Sequence, residues 1–225
     1  MEDVDNSNKK TPKTAILGIY AKQPLPGQVK TRLCPPLSTH AAAELYRCCL
    51  LETVQRMQAG GFDLVICYAG ERQWFAETFP GISLSAQNGA DLGARMANSL
   101  SGFLQQGYQQ AVLIGSDAPD LPLQLVKQAF IELQQAEVVL APADDGGYVL
   151  IGESAHRPEL FKAIEWSTDA VLPETLKRIK ACGIAASLLP GWDDLDDLDA
   201  LKRFLLRSPQ SATARYLQQH LAPHL

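Results

Sequence analysis

Three stretches of this sequence carry residues that could do chemistry, and all three suit a phosphate-bearing ligand. The first is Gln23-Pro24-Leu25-Pro26-Gly27-Gln28-Val29-Lys30-Thr31-Arg32. Prolines and a glycine hold such a loop open, and Lys30 and Arg32 bring two cations to it. Arginine forks onto phosphate oxygens, whereas lysine acts as a point charge. A solvated basic loop is the competing reading. No GxxxxGK[ST] or GxGxxG motif occurs in the chain, so neither a Walker loop nor a dinucleotide fingerprint accounts for the segment.

The second stretch is Ile114-Gly115-Ser116-Asp117-Ala118-Pro119-Asp120, where an apolar run enters a carboxylate and Pro119 then stops strand pairing. A carboxylate at the carboxyl end of a strand suits Mg²⁺, which takes one or two protein carboxylates and completes its shell with phosphates and water. The alternative is that Asp117 or Asp120 caps the next helix. In the third stretch, Trp192-Asp193-Asp194-Leu195-Asp196-Asp197-Leu198-Asp199, five aspartates crowd into seven positions. Like charges this dense repel unless a cation or a helix N-terminus relieves them. A helix starting near Leu198 needs only one or two of them. That leaves Asp196 as a candidate second metal ligand, with Asp194 behind it. An EF-hand is excluded, since its glycine and terminal glutamate are absent.

Two further segments support these. Asn88-Gly89-Ala90-Asp91-Leu92-Gly93-Ala94-Arg95 sets glycines and a cation at a helix start, open to close approach by a nucleotide, or simply a capped helix. Ala143-Asp144-Asp145-Gly146-Gly147-Tyr148 reads as a hairpin turn through its Asp-Gly pair, with the second aspartate and Tyr148 left over for an acceptor. Trp166 beside Ser167-Thr168 suits packing and capping better than ligand stacking. Histidine chemistry has little basis, because His40 and His156 stand at helix margins and His220 and His224 in the tail. GxSxG and HExxH are absent, which disfavours hydrolase and zinc-protease readings.

The elements that must position these residues follow from hydrophobic periodicity. Strands are expected over residues 14–20, 62–69, 82–86, 111–115, 137–141, 148–152 and 184–189. Helices are expected over 38–58 (capped by Ser38), 71–79, 91–106, 121–135 and 168–182, with Pro122 in the first turn of the fourth and two more closing the chain. The strands at 137–141 and 148–152 are separated by a turn too short for a helical crossover, so that pair is not a simple parallel step. The expected fold is α/β, a Rossmann-like three-layer α/β/α sandwich with a mostly parallel sheet and one antiparallel strand. Ligands in such folds bind beyond the carboxyl ends of the strands.

Bulk properties bound the function. The 225 residues suffice for one domain over 14–225 behind a polar, disordered lead-in at 1–13. No apolar run nears the roughly 20 residues that a membrane span requires. A net charge of -5 argues against a nucleic-acid partner, while a small phosphorylated ligand needs only a local basic loop. Five cysteines without a CxxC pair fit a reducing, cytoplasmic setting.

Six ordered motifs strengthen the case: P-x-P-G-x-V-K-T-R-L, D-L-G-x-R-M, I-G-S-D-x-P, D-G-G-Y-x-L-I-G, W-S-T and D-x-D. Together they resemble the bacterial rSAM/selenodomain-associated transferases, of the nucleotide-diphospho-sugar transferase superfamily with the GT-A fold. The outline is shared more distantly with phospholactate guanylyltransferase and the molybdenum-cofactor guanylyltransferases. The resemblance implies that Lys30, Thr31 and Arg32 face nucleotide phosphates, helped by Gly93, Arg95 and Ser116. It implies that Asp117 and Asp196, with Asp194 nearby, hold Mg²⁺ or Mn²⁺. Asp145, Gly146, Gly147, Tyr148 and Trp166 would line the acceptor side. Two departures stand out: Gln28 replaces a usual lysine, and the D-V-D-T-x-x-D-L ending loses its threonine and later aspartate.

The expected activity is metal-dependent transfer using a nucleotide, with Lys30, Arg32 and Asp117 as catalytic candidates. A nucleotidyltransferase joining an NTP to a small acidic or phosphorylated acceptor is favoured by the paired cations of the first loop. A glycosyltransferase using a nucleotide sugar is the alternative, and a non-catalytic nucleotide-binding module the third reading. Neither the acceptor nor the oligomeric state is legible.

Overall fold

The computed structural model describes residues 13–221. The expected lead-in lies outside the described residues except for Lys13. In chain order the elements are β1 (Ala15–Lys22), α1 (Thr39–Met57), β2 (Asp63–Ala69), α2 (Arg72–Thr78), β3 (Ser83–Ala86), α3 (Leu92–Gln105), β4 (Gln110–Gly115), α4 (Leu123–Glu132), β5 (Val138–Pro142), β6 (Tyr148–Glu153), α5 (Val171–Cys182), β7 (Ala186–Leu188), α6 (Leu198–Arg207) and α7 (Ala212–Tyr216). The strands join in one sheet ordered β3-β2-β1-β4-β6-β5-β7. Neighbours are parallel except at β6, which is antiparallel to both β4 and β5. The mostly parallel sheet with one reversed strand is therefore what forms.

Alternation along β1 explains the layers, since successive strand residues point to opposite faces. Leu17 and Ile19 enter one core with Leu50 and Val54 of α1, Phe75 of α2 and Val126 of α4. Ile16 enters the other with Met96, Leu100 and Phe103 of α3 and Ile179 of α5. A third core joins Leu33 and Leu37 of the first loop to Leu45 and Cys49 of α1, and to Leu195, Leu201 and Phe204 near the C-terminus. This last core matters for function, because it ties the loop bearing Lys30 to the segment bearing Asp196.

Several boundaries differ from the periodic pattern for local reasons. The helix expected from 168 begins at Val171, because Ser167 has φ 66 and the Thr168 hydroxyl donates to the Glu165 carbonyl at 2.7 Å. Pro122 stands before α4 as its extended N-cap instead of inside the first turn. The last strand shortens to three residues. Ser38 does cap α1, its hydroxyl accepting from the Ala41 amide at 3.1 Å. Among the described residues no helix is long and apolar enough to cross a membrane, and Cys34, Cys48, Cys49, Cys67 and Cys182 are free thiols.

Candidate active site

A cleft of about 490 Å³ opens beyond the carboxyl ends of β1 and β4. Lys30, Thr31, Arg32, Arg95, Asp117, Asp145, Gly147, Tyr148, Trp166, Asp194 and Asp196 all line it, so residues far apart in sequence share one wall-to-wall space.

At its centre, the Lys30 ammonium lies 2.6 Å from Asp117 Oδ1 and 2.8 Å from Asp196 Oδ1. The lysine side chain is 1% exposed, whereas Asp117 and Asp196 are 40% and 34% exposed. The carboxylates thus face the cleft and the cation sits behind them. Lys30 itself has φ 49, a left-handed conformation that costs a non-glycine residue energy and persists only where its surroundings impose it. Burial alone would lower the Lys30 pKa, but the Asp117 and Asp196 carboxylates hold it well above its ordinary value. Burial likewise would raise Asp196, yet the Lys30 ammonium, helped by Arg32 and Lys22, keeps it below the usual carboxylate range. Arg32 is different: its side chain is 59% exposed, with Nη1 3.7 Å from Asp196 Oδ2.

The five crowded aspartates separate into distinct tasks. Asp193 accepts from Arg203 Nε at 3.0 Å and Arg207 Nη1 at 2.9 Å. Asp197 caps α6, accepting from the Ala200 amide at 2.7 Å, and Asp199 lies in the first turn of that helix. Asp194 and Asp196 are left for the cleft, with Leu195 between them fully buried. Burying one leucine is worth about 1.5–3 kcal/mol, enough to fix the turn that presents its two neighbours. Asp194 is pushed up to about 7 by burial first and then by Asp196, with Asp145 and Asp117 adding to it. More carboxylate therefore gathers here than Lys30 alone offsets.

Neither Asp117 nor Asp120 caps α4, whose N-cap Pro122 receives no side-chain bond. Asp120 is 5% exposed and points away from the cleft into a cluster with Trp192 and Arg207. Among the described residues no group of three or more His, Cys, Asp or Glu forms a ready metal cage. The donors that do face the cleft are hard carboxylate oxygens in a pair. Such a pair fits an ion that keeps water and takes its other ligands from phosphate.

Another part of the lining comes from the hairpin between β5 and β6 together with residues 166–168. Asp145 Oδ1 accepts from the Gly147 amide at 2.9 Å, closing the turn. Two glycines seat this wall without lining the cleft themselves. A Cβ on Gly93 would stand 2.3 Å from the Trp166 ring, and one on Gly146 (φ 85) would stand 2.5 Å from the Asp169 backbone. The D-L-G, D-G-G-Y and W-S-T segments thus interlock. Gly146→Ala is expected to lower stability by about 1–3 kcal/mol through its positive φ and a backbone clash. Gly93→Ala meets only a side chain, so its expected sign is a displaced indole, read as a change in Trp166 fluorescence at a nearly unchanged melting temperature.

Ser116 is buried, its hydroxyl 2.7 Å from that of Tyr46, so it braces Asp117 from behind. Tyr20, Lys22, Tyr46, Gln87 and Met96 line the cleft without having been picked out from the sequence. Lys22 was recoverable, because β1 runs two residues beyond the expected end and delivers it to the rim. Tyr46 and Met96 look like ordinary apolar-face positions of α1 and α3, and nothing local marks them.

A family model described as "Uncharacterized protein conserved in bacteria (DUF2064)" matches residues 51–168. The chain belongs to the DUF2064 family. That match spans Asp117, the hairpin and Trp166, while Lys30 and Asp196 lie outside it. No curated protein matches the chain. Among solved structures, it is similar to a candidate nucleotide-diphospho-sugar transferase from Desulfovibrio desulfuricans G20, at 34% identity and TM-score 0.86 over 92% of this chain and 95% of that one. The manganese complex of Rv0371c from Mycobacterium tuberculosis H37Rv is similar at 16% identity and TM-score 0.54, over 87% of this chain and 100% of that one. CMP:2-keto-3-deoxy-manno-octonic acid synthetase in complex with CTP is similar at 11% identity and TM-score 0.52, over 88% and 99%. The last two share the fold with this DUF2064 member, and their identities carry no more than that.

Proposed function

We propose that this DUF2064 protein is a divalent-metal-dependent transferase that uses a nucleotide, and that it joins an NTP to a small acidic or phosphorylated acceptor. The observation that carries the reading is the convergence of Asp117 and Asp196 on one cleft wall at the carboxyl ends of the strands. Asp117 and Asp196, with Asp194 beside them, would hold Mg²⁺ or Mn²⁺, and such an ion neutralises charge on phosphate oxygens.

The other roles belong to the chain itself. Lys30 keeps Asp196 ionised and holds the two carboxylates together, an indirect part compared with direct phosphate contact. Arg32, exposed at the cleft edge, and Arg95 at the start of α3 are the cations placed to orient phosphates, with Thr31 beside them. Fixed charges of this kind stabilise a transferring phosphoryl group without reorganising during the reaction. Asp145, Gly147, Tyr148 and Trp166 form the acceptor wall, and Gly93, Gly146 and Ser116 support it or the carboxylates from behind. Residues 14–225 act as one nucleotide-binding domain in this reading.

A second reading, transfer from a nucleotide sugar, is favoured by the description of the Desulfovibrio relative. The two are separated by assaying pyrophosphate release from each NTP with Mg²⁺ and a panel of phosphorylated and acidic acceptors. Acceptor-dependent pyrophosphate is the expected result. Turnover of nucleotide sugars with no pyrophosphate from any NTP would assign the second reading instead.

A further inference from the structure

Asp120 and Arg207 lie outside the cleft, yet they connect the two loops that carry its carboxylates. Resting on the metal reading above, we propose that they form a clamp that sets the spacing of Asp117 and Asp196, and so act as positioning residues for the site.

The two loops arrive from opposite parts of the chain, one after β4 and the other before α6. Beside the carboxylates they are joined by a backbone bond, from the Leu195 amide to the Asp117 carbonyl at 2.9 Å. A single such bond between loops is weak, and Lys30 bridges the two carboxylates only at their side chains. Behind it stands a much stronger set of contacts. Asp120 Oδ1 accepts from Trp192 Nε1 at 3.1 Å and Arg207 Nη2 at 3.1 Å. Its Oδ2 accepts from Arg207 Nε at 2.7 Å and the Ser208 hydroxyl at 2.8 Å.

The same guanidinium reaches the other loop through Nη1, 2.9 Å from Asp193 Oδ2, and lies 4.8 Å from the centre of the Trp192 ring. One arginine therefore grips a residue three positions after Asp117 and another three positions before Asp196. A forked, planar cation can do this and an ammonium cannot. None of Asp120, Trp192, Asp193 and Arg207 lines the cleft, so the clamp acts through the backbone of the two loops.

Amide hydrogen exchange of metal-free wild type and Arg207→Lys tests the idea. The expected result is about tenfold faster exchange at Leu195 with the amides of β1 and β4 still fully protected, a local opening in place of a global one. Unchanged exchange at Leu195 overturns the clamp. Equal acceleration at Leu195 and throughout the sheet also overturns it, since that describes general stabilisation. Mn²⁺ titration followed by electron paramagnetic resonance gives a second readout, with about tenfold weaker binding expected in Arg207→Lys. Wild-type affinity in that variant counts against the clamp. If wild type itself binds no Mn²⁺, the metal reading fails, and the Leu195 exchange rate still decides the clamp. Should Arg207→Lys not fold, Trp192→Phe removes one donor to Asp120 and is expected to speed Leu195 exchange about threefold. No change there has the same adverse meaning.

Discussion

Asp117→Ala is expected to reduce metal-dependent turnover by on the order of 10²–10³-fold while leaving the protein folded. Asp117 is the carboxylate most exposed to the cleft among the partners of Lys30, and its loop is held from behind by Ser116 and the Arg56 Nε bond to the Pro119 carbonyl at 2.9 Å. Removing the side chain takes one oxygen donor pair out of the cleft but leaves those supports intact. Lys30 keeps Asp196 at 2.8 Å, so its charge is not orphaned. The check is Mn²⁺ affinity and nucleotide affinity with and without metal, beside a thermal melt. Asp117→Asn separates charge from shape, because it keeps an oxygen in nearly the same place. If Asp117→Ala binds Mn²⁺ and nucleotide as wild type does, the metal does not lie on Asp117.

The second large effect concerns stability. Lys30→Met is expected to cost about 1–3 kcal/mol at neutral pH, less than the full penalty for breaking a buried ion pair because the two carboxylates left behind face water. Methionine fills much of the same volume, so the loss reflects charge more than a cavity. Its pH dependence has a definite sign. Asp196 has a folded-state pKa below its ordinary value of 3.8, held there by Lys30 against the effect of burial. Stability from that depression is present above the ordinary value and disappears as pH falls through the depressed one. Lys30, with a raised pKa, contributes fully below its ordinary 10.5 and loses its contribution only above it. The difference between wild type and Lys30→Met should therefore hold through neutral pH and shrink as pH falls through the depressed pKa of Asp196. Urea unfolding of both proteins at neutral and strongly acidic pH measures this. A difference that stays constant across that range would show that Lys30 acts by packing.

How much of this was legible beforehand depends on how local each signal is. Buried strands such as β1 and β4 announce themselves by unbroken apolar runs, and the short link between β5 and β6 betrays the reversed strand. The aspartate excess before α6 was legible as an excess, and the helix cap accounted for part of it. What the residues did not reveal is direction. Lys30 reads as a loop cation facing solvent, yet Leu33 and Leu37 pull that loop into the third core and turn the ammonium inward. Asp120 reads as a possible cap, and only the return of α6 beside it supplies Arg207. Gly93 and Gly146 read as ligand-approach glycines, whereas their neighbours are Trp166 and Asp169. For Asp120 and the two glycines the deciding partner lies tens of residues away, beyond any periodicity.

The contact between Lys30 and Asp196 spans 166 positions of the chain. Closing so long a loop carries an entropic cost that only the finished architecture offsets. A chain emerging from the ribosome N-terminus first has β1 through β6 available well before Asp196 appears. Until then the lysine has at most Asp117 as partner, in a core still missing Leu195, Leu201 and Phe204. The carboxylate pair can therefore form only once residue 196 has been made and the third core can close around the first loop.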